Sequence, residues 1–413
     1  MSDAAPAPAS APVADPPRRV VVSWALYDLA NTIYSAIVVT AFLPPLFKAR
    51  FGSLAAFGTT TSLTLLVSAF FSTRFGAGVD RTGRARPGLD RWTVVCVVLS
   101  AVLFLAVRTG AAATLLAYAG SLFAYQAALT YYNALLPVVA APHRRGFVSG
   151  LGTGLGYAGI PLALLLGKAV MGTPLGPEGS FLVCAALMTL GTVPLWLHVR
   201  DDPARARAPA GTPPPRLSAS LRWVAGHPVL RLLLLANFVC ADVANTLIQY
   251  ATVYFEDHAG LSRARAVDMV LYLSLTALVG GLVVGRVADR VRPARLFAAA
   301  CAGLVAALVA TALAPRSDLA TGLLVVAGGV GVATTWTVGR QLVIRVAPRE
   351  RCGEALGLYG VTTKASILGT TVFPVLAETV GYRVAVLAEA SALAVGVGLL
   401  LVLDRRLKPA EAA

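Results

Sequence analysis

The chain has 413 residues, of which 57% are hydrophobic and 13% charged, against about 25% charged in ordinary soluble domains. With a mean hydropathy of +0.73, it has too few charges to cover a water-facing surface of this size, which excludes a soluble globular protein. The net charge is +15, but the basic residues fall in short clusters between apolar runs, not on one face or stripe, which excludes a nucleic-acid surface.

Met1–Pro17 is rich in Ala, Pro and Ser and lacks the apolar core of a signal peptide. Residues 1–19 read as a disordered cytoplasmic tail. A spanning helix needs about 20 mostly apolar residues, and twelve runs qualify. The first, 22–43, places Asp28, Asn31 and Ser35 on one stripe at i, i+3 and i+7, with Tyr34 beside it. The second, 57–79, runs into Gly76-Ala-Gly-Val-Asp80-Arg81-Thr-Gly83-Arg84. The third, 92–107, is the shortest. The fourth, 111–136, aligns Gln126, Thr130 and Asn133 on one face. The fifth, 147–171, repeats glycine at 150, 152, 154 and 156, which permits close helix contact. The sixth is 180–199.

The longest polar break, 200–228, carries Pro203, Pro209, Pro213, Pro214 and Pro215 and reads as a cytoplasmic linker. It separates a bundle over 20–199 from one over 229–404. The seventh run, 229–252, repeats the polar stripe with Asp242, Asn245 and Gln249. The eighth, 267–287, ends in Gly285-Arg286-Val-Ala-Asp289-Arg290. The ninth is 295–314. The tenth, 319–342, sets Trp336 and Arg340 one turn apart, the eleventh, 354–377, contains Lys364, and the twelfth, 382–403, contains Glu389. Residues 405–413 form a short cytoplasmic tail.

Most of the Lys and Arg residues fall in the loops that share a side with both termini, which places that side in the cytoplasm. The halves also repeat. Asp28-Leu-Ala-Asn31-Thr32 matches Asp242-Val-Ala-Asn245-Thr246, the Gly76 loop matches the Gly285 loop, and Ala141-Pro142-His143-Arg144-Arg145 matches Ala347-Pro348-Arg349-Glu350-Arg351. Three matches in the same order predict two pseudo-symmetric six-helix bundles.

These loops resemble the signature of the major facilitator superfamily. Within it, Trp24-Ala-Leu-Tyr27-Asp28-Leu-Ala-Asn31-Thr32, Tyr132-Asn133-Ala-Leu-Leu-Pro137, Arg145-Gly146-Phe-Val-Ser149-Gly150 and Gly154-Leu-Gly156-Tyr157-x-Gly159 are similar to the vacuole effluxer family. That family has acidic residues where this chain has His143 and Arg144, and often Gly where it has Val243. The resemblance implies an all-α, twelve-span inner-membrane transporter working by alternating access, with first and seventh helices lining a central cavity. It suggests a small polar substrate such as an amino acid.

A charged side chain at the centre of a bilayer costs about 2.5–3.5 kcal/mol on insertion scales, so Asp28, Asp242, Lys364 and Glu389 are the buried charges to explain. The two aspartates are expected to face each other across a wet path and to bind substrate or a coupling proton. Asn31, Tyr34, Ser35, Gln126, Asn133, Asn245, Gln249, Trp336 and Lys364 are candidate partners. Lys364 either contacts substrate or neutralises Asp242 or Glu389; Glu389, on a peripheral helix, reads as a pairing residue. Asp80, Arg81, Arg84, Asp289, Arg290 and Arg340 read as a gate or latch, the aspartates accepting hydrogen bonds from the facing half. The cysteines and histidines are dispersed and suggest no metal centre. No Walker loop or nucleophile elbow occurs, which argues against a pump or an enzyme, and no cofactor is expected. A monomer exchanging a solute is the leading reading; a non-transporting receptor on the same scaffold is the alternative.

Overall fold

The computed structural model describes residues 15–52, 55–202, 216–366 and 369–411. The first span is α1 (Arg18–Tyr34), continued through a π-helical segment, Ser35–Ala41, into α2 (Leu43–Phe51). Next come α3 (Ala55–Thr82), α4 (Arg86–Thr109), α5 (Ala111–Val139), α6 (Arg145–Met171) and α7 (Gly179–His198). A short helix, α8 (Leu217–Ala225), precedes the second half: α9 (Pro228–Val253), α10 (Arg263–Ala288), α11 (Pro293–Leu313), α12 (Asp318–Val346), α13 (Cys352–Ala365), α14 (Gly369–Thr379) and α15 (Tyr382–Glu411). Proline enters the first turn of α4, α9 and α11, where its missing N–H costs nothing. Ser262 and Ser317 cap α10 and α12 by accepting from Arg265 N and Ala320 N.

Among the described residues, eleven helices are long and apolar enough to cross a membrane. The eleventh predicted run is covered by α13 and α14, which flank residues 367–368, outside the described set. The short third run extends at both ends into the 24-residue α4. The linker holds α8, whose Trp223 ring lies 3.9 Å under the Arg351 guanidinium; residues 203–215 are outside the described set. Of the N-terminal tail, Asp15 contacts His143 and Arg144, while 1–14 are not described. The last helix runs on to Glu411, past the expected boundary at 404.

The halves pack alike. The pairs α3–α5, α4–α5, α4–α7 and α1–α7 recur as α10–α12, α11–α12, α11–α15 and α9–α15. Both α1 and α9 run on into a π-helical segment, Ser35–Ala41 after the first and Tyr254–His258 after the second. Between the halves, α10 lies on α6 and α13 on α3, equivalent pairs under one two-fold operation. Large apolar side chains such as Leu116 (75% exposed) and Leu319 (73%) face outward. Bare apolar surface on this scale marks contact with lipid.

Glycine makes both inter-half contacts possible. A Cβ on Gly150 of α6 would lie 2.2 Å from Gly281 O of α10, and one on Gly76 of α3 would lie 1.9 Å from Gly353 O at the start of α13. Backbone therefore meets backbone at the end of the bundle that carries both termini, here called the termini face.

Candidate functional site

Two carboxylates seal the termini face. Asp80, at the end of α3, accepts from Gly353 N (2.6 Å) and Glu354 N (2.8 Å), the first amides of α13 in the other half. Asp289, just past α10, accepts from Gly146 N and Phe147 N (both 2.7 Å), the first amides of α6, and from Gln341 Nε2 at 3.2 Å. Each aspartate thus supplies a negative charge to unpaired N–H groups at a helix start, where the macrodipole favours it. Burial lifts the Asp289 carboxyl above its usual range, while the two amide bonds pull it down. Arg351 grips Glu354 through two bonds of 2.6 Å beside the Asp80 cap. Arg84 and Arg290, grouped with the latch by motif, have exposed side chains. Asp80→Ala and Asp289→Ala should each weaken the closed state by about 1 kcal/mol, as loss of a helix cap does. Faster thiol labelling at the termini face would register this, and equal rates in wild type and variants would contradict it.

Deeper in, Arg340 of α12 crosses into the first half. Its Nη1 donates to Asn133 Oδ1 (3.1 Å), its Nη2 to Thr153 Oγ1 (3.0 Å) and Ser149 O (3.2 Å), and its Nε to its own helix at Trp336 O. Nη2 lies 3.8 Å from Asp28 Oδ2, with side-chain exposures of 6% and 13%. The guanidinium faces Trp24 and Tyr132, which stack 4.3 Å apart and carry it on their π faces. Gly152 leaves the room: a Cβ there would sit 2.9 Å from the Tyr132 hydroxyl and 3.1 Å from Asp28 Oδ2. A buried charge is tolerable only when paired and hydrogen-bonded, and this centre draws its opposite charges from opposite halves.

The other sequence candidates scatter around this centre. The expected face-to-face pairing of Asp28 with Asp242 is replaced: Asp28 meets Arg340, whereas Asp242 acts on Glu389 of α15. Arg340, for which the sequence leaves a gate, a membrane-surface and a binding role open, is buried at the centre itself. Tyr34 is fully buried in the first bundle, stacked on Tyr125 and bonded to Ser121. Asn31 is buried with Oδ1 unpartnered among the described residues. Ser35 is half-buried beside Tyr125, and Gln126 half-buried one turn before Thr130. Asn245 donates to Ser366, and Gln249 is exposed. Trp336 lies near Tyr157 of the other half.

Lys364 meets neither Asp242 nor Glu389 in an ion pair; its Nζ donates to Ser72 Oγ of α3, and no ion-pair partner is found among the described residues. Burying an unpaired ammonium is costly, so Lys364→Met should leave the melting temperature unchanged or raised. A marked fall would mean that the charge stabilises the fold. Trp24, Ser149 and Thr153 join the centre without being candidates in the sequence; the i, i+4 spacing of Ser149 and Thr153 on a glycine-rich helix is the signal that could have found two of them.

Residues 26–365 match the Major Facilitator Superfamily. The chain is 24% identical over 381 residues to the uncharacterized MFS-type transporter YxiO of Bacillus subtilis (strain 168), covering 87% of this chain and 88% of that one. It is likewise 24% identical over 353 residues to an uncharacterized protein of Aquifex aeolicus (strain VF5), covering 85% and 87%. Among solved structures, the human organic anion transporter MFSD10 superposes with a TM-score of 0.75 at 16% identity, covering 94% of this chain and 100% of that one. The E. coli fucose:proton symporter FucP gives 0.75 at 14% identity, covering 94% and 98%.

Proposed function

Since the chain belongs to the major facilitator superfamily, a group of transporters and not of enzymes, we propose that its Asp28–Arg340 centre binds a small zwitterionic solute, an amino acid being the simplest. The observation that carries this is the buried pair of opposite charges drawn from the two halves. A substrate carboxylate replaces Asp28 at Arg340, and a substrate ammonium replaces Arg340 at Asp28. Neither protein charge is then left unpaired, which keeps the exchange inexpensive. The narrower likeness to the vacuole effluxer family points to the same substrate class.

The geometry of the seal supports alternating access. The Asp80 and Asp289 caps, the Gly76–Gly353 and Gly150–Gly281 contacts and the Lys364–Ser72 bond lie between the termini face and mid-depth. With both termini in the cytoplasm of an inner-membrane protein, as the Lys and Arg distribution implies, this conformation is closed inward. Rocking the halves apart breaks the caps and opens the centre to the cytoplasm. We further propose that transport is driven by protons and that the protein acts as a monomer. The test is a thermal-shift screen of amino acids and related zwitterions on purified protein, followed by flux of any hit into sealed liposomes with and without a pH gradient. Uphill uptake is expected with the gradient. Binding with no flux would favour a receptor and reject the transport reading.

A further inference from the structure

A second polar feature lies wholly inside the C-terminal half. Between α9, α11, α12, α14 and α15, toward the face opposite the termini, is a cavity of about 30 Å³ lined by Thr246, Tyr250, Leu308, Phe373 and Glu389. One water needs roughly 10–15 Å³, so the space admits one or two waters and no metabolite. Two buried polar atoms in its wall lack a partner among the described residues, Glu389 Oε2 and Thr246 Oγ1. Native interiors rarely leave such atoms unpaired, and a water or ion is the usual remedy.

The surrounding charges narrow the choice. Asp242, one turn before Thr246 on α9, is the charge acting on Glu389. Among the described residues, Glu389 makes no ion pair with a cation. The nearby hydroxyls are committed elsewhere: Tyr250 donates to Thr370 O, Tyr254 to Thr311 O and Tyr382 to Asp257 Oδ2. The segments α11 and α12 bring only Leu308 and Leu324 to the wall. His258 stacks on Tyr382, and Glu378 on α14 is exposed. A carboxylate set in such a wall with no cation beside it is costly, and taking up a proton removes the cost.

We propose that Glu389 holds a proton, shared through a cavity water with Thr246 Oγ1, and that this carboxyl is where the coupling ion binds. Uptake converts the Glu389 carboxylate and one proton into the neutral acid; release reverses this, with no other bond changed. The separation from Asp28 is chemical. Arg340 stands 3.8 Å from Asp28, whereas among the described residues no cation pairs with Glu389. The coupling role rests on the transport reading; the proton site does not.

Infrared difference spectroscopy of the full chain in lipid, titrated over pH, reads the C=O stretch of protonated carboxyls directly and needs no substrate. A band present at neutral pH should vanish in Glu389→Gln and persist in Asp28→Asn. In Thr246→Val the band should remain but shift, because the hydroxyl that anchors the bridging water is gone. An unchanged band in Glu389→Gln overturns the assignment. If that variant fails to fold, an unshifted band in Thr246→Val overturns it independently. A band removed by sodium at constant pH assigns the cavity to a metal cation and also overturns it. Absence of flux with the band intact would sink the transport reading and leave the proton site standing.

Discussion

Arg340→Ala is expected to abolish transport and to destabilise the protein by about 3–5 kcal/mol, the usual result of removing one partner from a buried ion pair. The variant strips Asp28, Asn133 and Thr153 of a shared donor and leaves a carboxylate in a site that is 13% exposed with nothing to neutralise it. Arg340→Lys should recover part of the stability but little flux. A single ammonium cannot serve Asn133, Thr153 and Asp28 from the fixed angles of a guanidinium fork. The double variant Asp28→Asn, Arg340→Gln separates the two roles: it removes both charges, so it should regain most of the melting temperature and still fail to transport. Flux in the double variant equal to wild type would show that the pair is only structural.

The second large effect is expected at Gly150. Alanine there sets a Cβ 2.2 Å from Gly281 O and 2.8 Å from Gly285 Cα. Both neighbours are backbone, so no side chain can swing aside and the halves must separate. Overpacking of this kind costs about 1–3 kcal/mol, charged only to the conformation closed at the termini face. Since about 1.4 kcal/mol is tenfold in an equilibrium constant, the open population should rise some tenfold or more. Cys352, at the start of α13, reports this. It is half-buried while the other four cysteines are buried, so its alkylation rate should rise by a similar factor. Gly303→Ala is the control, because nothing lies within 4 Å of a Cβ there. Equal labelling in Gly150→Ala and wild type would mean that the contact does not hold the face shut.

The repeated loops carried the fold because they encode positions that physics makes intolerant. Asp80 and Asp289 recur because each must reach two helix-start amides, and glycine recurs beside them because a backbone carbonyl occupies the place of a side chain. The centre was half legible. Asp28, Asn133 and Arg340 stood out as polar groups in apolar runs, but a linear pattern cannot say which charge meets which. Equal stripes on the first and seventh spans suggested that Asp28 and Asp242 were symmetric partners. The halves are not symmetric in detail: Arg340 of α12 has no basic counterpart in α5, which contains neither Lys nor Arg, so the contact that Arg340 makes with Asp28 is not mirrored from the first half. Glu389 was discounted for lying on a peripheral helix, yet the space it faces is created by five helices and is invisible in any one of them. The helix α8 was likewise hidden, since its nine residues fall in a polar, proline-rich stretch.

The exchange of caps between the halves also bears on leakage. Asp80 belongs to the first half and binds the second, while Asp289 belongs to the second and binds the first, and the two lie on opposite flanks of the pseudo-axis. A rigid rotation that strains one clasp strains its counterpart equally, so the barrier yields as a unit. A carrier whose barrier yields that way spends little time ajar, and an ion gradient across it is not dissipated between turnovers.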